Sequence, residues 1–246
     1  MCGRFTLQTR PATWSQELLP LWSEQDVSER ATQLGDRARY NIAPTQNVAC
    51  ILAGEGGRRS WEMFRWGLIP PWADDAAIGN RMINARSETV HEKRSFKNAF
   101  AKRRCLIPAD GYFEWMKTES GKQPYLIERD GDGILAMAGL WESNTKLGQD
   151  GQTLRSLTIL TTEANHVTEA IHHRMPVMIE PKDRELWLDT GVNDLERLSP
   201  LFAALPDDAL TLKPVSTVVN SPRNDSPECV APADAEPPQP KQTDLF

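Results

Sequence analysis

"CLIPADGYFEW" at residues 105–115 and "QPYLIERDGDGILAMAGLWE" at residues 123–142 are the stretches that decide the fold class. Each is rich in apolar, aromatic and β-branched residues and is interrupted by glycine and aspartate, which is typical of successive strands joined by turns. The D-G-D-G sequence at residues 130–133 predicts a tight hairpin within the second stretch. "LRSLTILTTEA" at residues 154–164 is a third stretch of strand type. The middle of the chain therefore predicts a strand-rich core.

Shorter strands and helices are predicted on both sides of this core. Strands are expected at residues 4–7, 47–54, 60–69 and 175–180, where apolar runs are bounded by turn residues. Helices are expected at residues 12–22, entered through Pro11, and at 95–105, 165–174 and 181–189. Because helices do not alternate regularly with the strands, we predict an α+β fold made of one domain, residues 2–220.

The last part of the chain has a different composition. Residues 221–246 hold six prolines and few large apolar residues before the final Leu245 and Phe246. Such a composition buries too little apolar surface to offset the entropy lost on ordering. We therefore predict a disordered tail over residues 221–246.

Composition excludes several classes of protein. The chain has 246 residues, of which 39% are hydrophobic and 25% charged, as in an ordinary globular protein. No apolar stretch approaches the roughly 18 residues of a membrane helix, and the start lacks the pattern of a signal peptide. The four cysteines contain no C-x-x-C pair, so neither a zinc site nor a disulfide framework is indicated. We expect a cytoplasmic protein with no membrane partner, no metal and no cofactor.

Charge is distributed unevenly along the chain. The net charge is −6, yet residues 81–104 carry eight lysines and arginines against Glu88 and Glu92. A basic front half followed by an acidic back half suits a protein that holds an anionic ligand on one face, although a solvated charged helix gives the same pattern. The chain also has eight tryptophans, which could form either core or a surface for stacking.

The N-terminus "MCGRFTL" (1–7) suggests unusual chemistry. Removal of Met1 would leave Cys2 with a free α-amine and a thiol on adjacent carbons. These groups have ordinary pKa values near about 8 and 8.5, so both have reactive fractions at neutral pH. The amine can condense with an aldehyde to an imine, and the thiol can then close a five-membered thiazolidine ring. The alternative is that Cys2 is only a small buried apolar residue.

Other polar residues occur in apolar or rigid settings. Asn84 and Arg86 in "MINARSE" (82–88) fall on the same side of an extended strand, because side chains alternate with period two. Glu114 lies between Phe113 and Trp115, where desolvation would raise the pKa of its carboxyl group toward that of a general acid–base. "AIHHRMP" (170–176) offers two histidines, one of which could transfer protons.

Taken together, the motifs resemble the SRAP family of abasic-site processing proteins, also called SOS-response-associated peptidases. The resemblance covers roughly residues 2–220 and rests on the motifs "MCGRF", "YNIAP", "WGLIPPW", "INARSET", "RRCLIPADGYFEW" and "IHHRMPVMI". It implies a SRAP-like domain with a barrel-like core and peripheral helices. It also implies a monomer that forms a thiazolidine crosslink between its N-terminal cysteine and the ring-opened aldehyde of an abasic site in single-stranded DNA.

The resemblance assigns roles to the matching residues. Cys2 would form the crosslink, Asn84 would position the amine and opened sugar, Glu114 would assist proton transfers, and His172 would act in ring opening and in reversal. The residues expected to contact DNA are Arg4, Asn41, Pro44, Trp72 and Arg86. The chain departs from the family at His173, where an acidic residue is common, and in the longer loop "LIPPWADDAAIGN" (68–80).

Two other activities and one further partner follow from the sequence. The start Met-Cys-Gly is shared with N-terminal-nucleophile amidohydrolases, and the family name suggests a cysteine peptidase, which here would be limited to self-processing. A protein that only binds single strands would leave Cys2, Glu114 and His172 without a role.

The terminal "QTDLF" (242–246) resembles the peptides by which bacterial replication proteins bind the sliding clamp. Gln242, Leu245 and Phe246 would be the clamp-binding residues.

Overall fold

The computed structural model describes residues 2–20, 22–35, 37–54, 58–119, 121–131, 133–148 and 152–234. Its strands are β1 (Phe5–Leu7), β2 (Arg39–Ile42), β3 (Asn47–Ala53), β4 (Arg59–Trp66), β5 (Asn84–Arg86), β6 (Arg104–Ala109), β7 (Gly111–Thr118), β8 (Gly121–Arg129), β9 (Leu135–Asn144), β10 (Leu154–Glu163), β11 (Arg174–Pro176) and β12 (Leu210–Pro214). Its α-helices are α1 (Pro11–Leu18), α2 (Glu24–Leu34), α3 (Lys97–Lys102), α4 (His166–Glu169), α5 (Arg184–Leu188) and α6 (Leu195–Leu198). In the described residues the strands are more numerous than the α-helices and contain more residues in total. The α+β prediction is confirmed.

Five strands close into a barrel. β4 pairs with β3, β3 with β6, and β6 with β9, all antiparallel. β10 closes the ring because it pairs antiparallel with β9 and parallel with β4. The last residues of β10 extend past the barrel and pair with β5 on one side and β11 on the other. The barrel-like core is therefore confirmed. Its long strand β10 pairs with β5 and β11, which lie in two of the segments predicted to contain site residues.

The other strands form an open antiparallel sheet in the order β12-β8-β7-β1-β2. The chain passes from barrel to sheet at Asp110, between β6 and β7. The Asp110 carboxylate accepts hydrogen bonds from the backbone N–H groups of Gln8 and Thr9 and, at 2.6 Å, from the Thr9 hydroxyl. These bonds tie the end of β1 to the crossover and so position the N-terminus over the sheet.

The hairpin predicted at residues 130–133 is wrong. β8 pairs with β7 and β12, whereas β9 pairs with β6 and β10. The D-G-D-G segment therefore connects the open sheet to the barrel. Glycine and aspartate indicate where a strand ends. They do not determine whether the next strand pairs with the one before it, because the tertiary fold decides the pairing.

The tryptophans serve both core and surface. Trp14, Trp61, Trp66 and Trp187 are fully buried, and Trp14 meets Trp61 edge-on with ring centroids 4.9 Å apart. Trp72, by contrast, is 41% exposed. Burial of several large aromatic side chains supplies much of the apolar surface that stabilises the fold.

The predicted boundary of the ordered domain at residue 220 is too early. Residues 217–220 and 227–230 form 3-10 helices, Val215 forms a β-bridge with Pro232, and Cys229 is buried. Part of this order comes from polar contacts, in which Asp225 accepts hydrogen bonds from the backbone N–H groups of Tyr40 and Asn41 in β2. A composition-based argument counts apolar residues and does not detect such contacts. The rest of the predicted tail, residues 235–246, lies outside the described residues.

Candidate nucleic-acid interface and reactive cysteine

Cys2 lies three residues before the start of β1 and is fully buried. Its thiol contacts the backbone carbonyl of Arg4 at 3.8 Å, and the Asn84 side-chain amide donates to the Cys2 carbonyl at 2.8 Å. Burial and, second, the nearby Glu114 carboxylate raise the pKa of the thiol. The thiol is therefore neutral at physiological pH, and its residue is held in place by an amide from a distant strand.

Asn84 and Arg86 are both on β5, which runs parallel to the extended end of β10. Asn84 is opposite Ile159, and Arg86 is opposite Thr161. Asn84 is half-buried and Arg86 exposed, while Ala85 between them is buried. The strand thus alternates as the sequence predicted, with one residue directed to Cys2 and the other presented to solvent.

Glu114 is a buried carboxylic acid in β7, opposite Tyr125 of β8. Burial is the main cause that raises the pKa of its carboxyl group, as the sequence predicted. Its charge also raises the pKa of both Cys2 and Tyr112. The carboxyl group of Glu114 is therefore electrostatically coupled to the thiol.

His172 lies between α4 and β11 and is partly buried. The backbone N–H of Arg174 donates to His172 Nδ1 at 3.0 Å, which leaves the proton of the neutral ring on Nε2. Burial lowers the pKa of His172 to about 4. The exposed His173 stacks on it with ring centroids 4.4 Å apart. His172 is thus a neutral imidazole at physiological pH, oriented by the backbone.

Arg4 and Asn41 are joined to each other rather than separately exposed. Arg4 Nη1 donates to Asn41 Oδ1 at 2.6 Å and to the Val219 carbonyl at 2.7 Å, and the guanidinium carbon lies 5.6 Å from the centroid of the Trp115 ring. Asn41 is fully buried, and its amide donates to the carbonyls of Val219, Ser221 and Asn224. Asn41 therefore has no surface for direct DNA contact in this structure, and its expected role changes from contact to support of Arg4.

The Pro44–Thr45 turn is hydrogen-bonded to the end of β4, and Trp72 lies on the loop that follows β4. The Thr45 N–H donates to the Trp66 carbonyl at 2.8 Å, and the Trp66 N–H donates to Gln46 at 2.9 Å. Thr45 has φ of 74°, an uncommon conformation for a β-branched residue. The exposed Trp72 ring lies 5.1 Å from the Arg94 guanidinium carbon. The structure thus places a strained turn at the end of β4 and an exposed aromatic ring on the loop that follows this strand.

The basic segment 81–104 is only partly available to a ligand. Six of its eight basic residues are exposed: Arg81, Arg86, Lys93, Arg94, Lys97 and Lys102. Arg103 pairs with the buried Glu142 at 2.7 Å. Arg104 is buried and donates to the backbone carbonyls of Phe100, Trp187, Asp189 and Val192. The last two cations therefore stabilise the fold, whereas the first six are accessible to solvent.

Sequence reasoning missed three residues near the site. Tyr112 is fully buried, and burial followed by the charges of Cys2 and Glu114 raises the pKa of its hydroxyl. Arg174, which lies in the histidine motif at residues 170–176, forms a bidentate salt bridge with Glu88, with N–O distances of 2.6 and 3.0 Å. No sequence motif indicated a role for Asp225, because its hydrogen-bond partners in β2 are distant in sequence.

Three further sequence expectations concern a metal site, a membrane span and the clamp-binding residues. In the described part of the chain, no cluster of three or more histidine, cysteine, aspartate or glutamate side chains could hold a metal ion. Across those same residues, no helix is long and apolar enough to span a membrane. Gln242, Leu245 and Phe246, the residues of the clamp-binding prediction, lie outside the described residues.

Comparison with known proteins gives a consistent result. Residues 1–222 match the model of the family described as SOS response associated peptidase (SRAP). The chain is 38% identical over 232 residues to "Abasic site processing protein YoqW" of Bacillus subtilis (strain 168), covering 94% of this chain and 99% of that protein. It is 34% identical to "Abasic site processing protein HMCES" of Xenopus tropicalis, over 78% of this chain and 65% of that one.

Structural comparison agrees at the level of fold. A solved protein from Bacteroides thetaiotaomicron matches with a TM-score of 0.79 and 24% identity, covering 94% of this chain and all of that one. The family match spans most of the chain and includes every residue discussed above except Asn224, Asp225 and those beyond them. The chain therefore belongs to the SRAP family.

Proposed function

We propose that the protein processes abasic sites in single-stranded DNA, and that Cys2, after removal of Met1, forms a thiazolidine with the opened sugar. The observation that carries the proposal is the hydrogen bond from Asn84 to the Cys2 carbonyl, which fixes the backbone of a residue whose thiol has a pKa raised by burial and, second, by Glu114. The relatives from Bacillus subtilis and Xenopus tropicalis, both named abasic site processing proteins, support the substrate.

The chemistry balances without a cofactor. The α-amine of Cys2 attacks C1′ of the open-chain aldehyde to give a carbinolamine, which loses water to form an imine. The thiol then adds to the imine carbon, and its proton passes to the nitrogen. The product contains one new C–N and one new C–S bond, and one water molecule is released.

Glu114 and His172 would carry the protons in this sequence. Burial raises the pKa of Glu114 and so increases the fraction of its protonated form, which would donate a proton to the departing hydroxyl of the carbinolamine. The Nε2–H of the neutral His172 can donate to the sugar ring oxygen as it opens. Both groups would act in reverse when the crosslink is undone.

Binding would use the single-strand mode. Arg4 and Arg86 would hold phosphates, while Pro44 and Trp72 would splay and stack bases beside the lesion. The exposed basic residues of segment 81–104 would add attraction that weakens with salt. On this proposal the protein acts as a monomer in the cytoplasm, associated with the nucleoid.

Intact-mass analysis with an abasic single-stranded oligonucleotide tests the proposal. The expected adduct has the mass of the chain without Met1 plus the DNA, less one water. Cys2→Ala should give no stable adduct, and Cys2→Ser should give at most an imine that borohydride can trap. A heat-stable adduct of Cys2→Ala on a denaturing gel would refute the mechanism.

The same experiment separates the alternatives. An N-terminal-nucleophile amidohydrolase would release ammonia from glutamine and give no DNA adduct. A self-processing peptidase would lose Met1 only when Cys2 is intact, without reacting with the oligonucleotide.

A further inference from the structure

The segment that follows the last strand forms a strap across the start of β2, here defined as residues 219–225. Three of its backbone carbonyls accept from the Asn41 amide at 2.7 to 3.1 Å, and the same Val219 carbonyl also accepts from Arg4. At its far end, Asp225 Oδ1 accepts from the backbone N–H groups of Tyr40 at 2.6 Å and Asn41 at 3.0 Å. The strap and β2 therefore hold each other through one aspartate and one asparagine.

A second branch leads from Asp225 to the turn that holds Pro44. Asp225 Oδ2 accepts from Arg39 Nε at 2.6 Å, and Arg39 Nη2 donates to Gln46 Oε1 at 2.5 Å. The same Gln46 oxygen accepts from the Ala43 N–H at 3.2 Å. The carboxylate thus connects to both residues that flank the Pro44–Thr45 turn.

The strap also fixes the ring beside Arg4. The Trp115 indole N–H donates to Asn220 Oδ1 at 2.7 Å, and that ring faces the Arg4 guanidinium. Arg4 is consequently held from three directions, by Asn41, Val219 and Trp115. Such restraint lowers the entropy lost when a guanidinium binds an anion.

We infer that Asp225 is a positioning residue for DNA binding, which orients Arg4 through Asn41 and supports the Pro44 turn through Arg39 and Gln46. The inference rests on the proposed function for its ligand, single-stranded DNA. It extends the binding machinery beyond residue 222, where the family match ends. A purely electrostatic view predicts the opposite effect of Asp225, because removing a negative charge from a basic surface should strengthen DNA binding.

The test is the salt dependence of binding to an undamaged single-stranded oligonucleotide. Loss of one phosphate contact lowers the magnitude of the log–log salt slope by about 0.7. Asp225→Ala should lower it by about this amount and weaken binding, and adding Arg4→Ala should lower it no further, since the contact is already lost. Asp225→Asn should keep the slope near that of the natural chain, because its carbonyl can still accept from the amides of Tyr40 and Asn41.

Controls keep the inference separate from the proposed function. Asp194→Ala removes an exposed carboxylate that caps α6 and should leave the slope unchanged. Hydrogen exchange without DNA should be faster over residues 39–46 in Asp225→Ala, whether or not the protein binds DNA. Failure of the natural chain to bind single strands would refute the proposed function while leaving this exchange result to judge the positioning.

Two outcomes would overturn the inference. One is an Asp225→Ala variant that binds as well as or better than the natural chain with an unchanged slope. The other is an independent Arg4 effect of full size in the Asp225→Ala background. If Asp225→Ala does not fold, Asn41→Ala tests the next member of the same relay, and a full Arg4-dependent slope in that variant would equally overturn it.

Discussion

The carboxyl group of Glu114 illustrates how much a single residue's chemistry depends on packing. Its apolar neighbours suggested a raised pKa, and the direction is confirmed. In a strand, however, adjacent side chains point to opposite faces, so Phe113 and Trp115 do not themselves enclose the carboxyl group. The desolvation comes from the tertiary packing of β7 against neighbouring elements, including β1. The sequence thus predicts the direction, while the cause requires the fold.

Replacement of Glu114 by glutamine should slow crosslinking by about 10²- to 10⁴-fold, the usual contribution of a proton-transfer group. The acid form donates the proton, so the rate should fall as Glu114 ionises. Once the α-amine is neutral, above about pH 8, the decline should be about tenfold per pH unit. Quenched crosslinking reactions across the pH range measure this, and Glu114→Gln should lose that dependence. A glutamine variant with the natural rate and pH profile would exclude the assigned role.

His172→Gln should also slow crosslinking or its reversal while leaving DNA affinity within about threefold, because proton-transfer groups contribute little to ground-state binding. Since burial lowers its pKa to about 4, the ring stays neutral above about pH 5, and no rate change at pH 5 to 8 should arise from it. His173→Gln is the matched control, because this exposed neighbour should be dispensable for the chemistry. Equal losses in the two variants would show that the assignment to His172 is wrong.

At the scale of elements, local signals predicted most strands and failed where pairing is decided at a distance. β1, β3, β4 and β6 to β11 fall within or close to the predicted stretches. α2 was missed, although Ser23 and Asp26 form a capping box that the sequence S-E-Q-D would have revealed. The hydrogen bond from Asn84 to Cys2 joins residues 82 positions apart, so no spacing rule could predict it. Only the resemblance to the family linked those two residues.

Glycine at position 67 allows the Trp72 loop to pack directly against the 3-10 helix at residues 76–81. A Cβ atom there would lie 2.6 Å from the Gly79 carbonyl oxygen, and the residue has φ of 117°. Gly67→Ala should therefore destabilise the protein by about 1–2 kcal/mol from the backbone and by about 1–3 kcal/mol more from the clash. Chemical denaturation measures the free energy of unfolding.

Gly131→Ala separates the two effects of the Gly67 substitution. Gly131 also has a positive φ, of 84°, yet nothing lies within 4 Å of an added Cβ atom. It should show only the backbone cost. Equal destabilisation by the two substitutions would mean that close packing at Gly67 contributes nothing.

At the scale of the whole molecule, the site is assembled from both sheets and from the C-terminal strap. Glu114 belongs to the open sheet, and Cys2 and Arg4 lie just before its strand β1. Asn84, Arg86 and His172 belong to strands or loops beside the extended end of β10. The barrel and the open sheet must therefore pack correctly before the reactive group is formed. Motif order along the chain identified these residues, but it gave no indication that residues 221–234 would complete the support of Arg4.

Residues 235–246, beyond the strap, contain the predicted clamp-binding residues Gln242, Leu245 and Phe246. If "QTDLF" binds a sliding clamp, Leu245 and Phe246 enter an apolar groove and Gln242 forms a hydrogen bond at its rim. When fully extended, the residues beyond Asp234 span at most roughly 43 Å, which sets the greatest separation between the domain and a bound clamp. Such a tether would raise the effective concentration of the protein where abasic single strands form.

The test is titration of a bacterial sliding clamp with a peptide of residues 236–246 and with the same peptide carrying Leu245→Ala and Phe246→Ala. The natural peptide should bind at micromolar concentration, and the double variant should not, because the two large apolar side chains supply most of the buried area. The full chain with the same two substitutions should still crosslink abasic DNA in the absence of the clamp, since Cys2 and its partners are unchanged. Indistinguishable binding by the two peptides, or none by either at high micromolar concentration, would reject the clamp interaction and leave the crosslinking proposal intact.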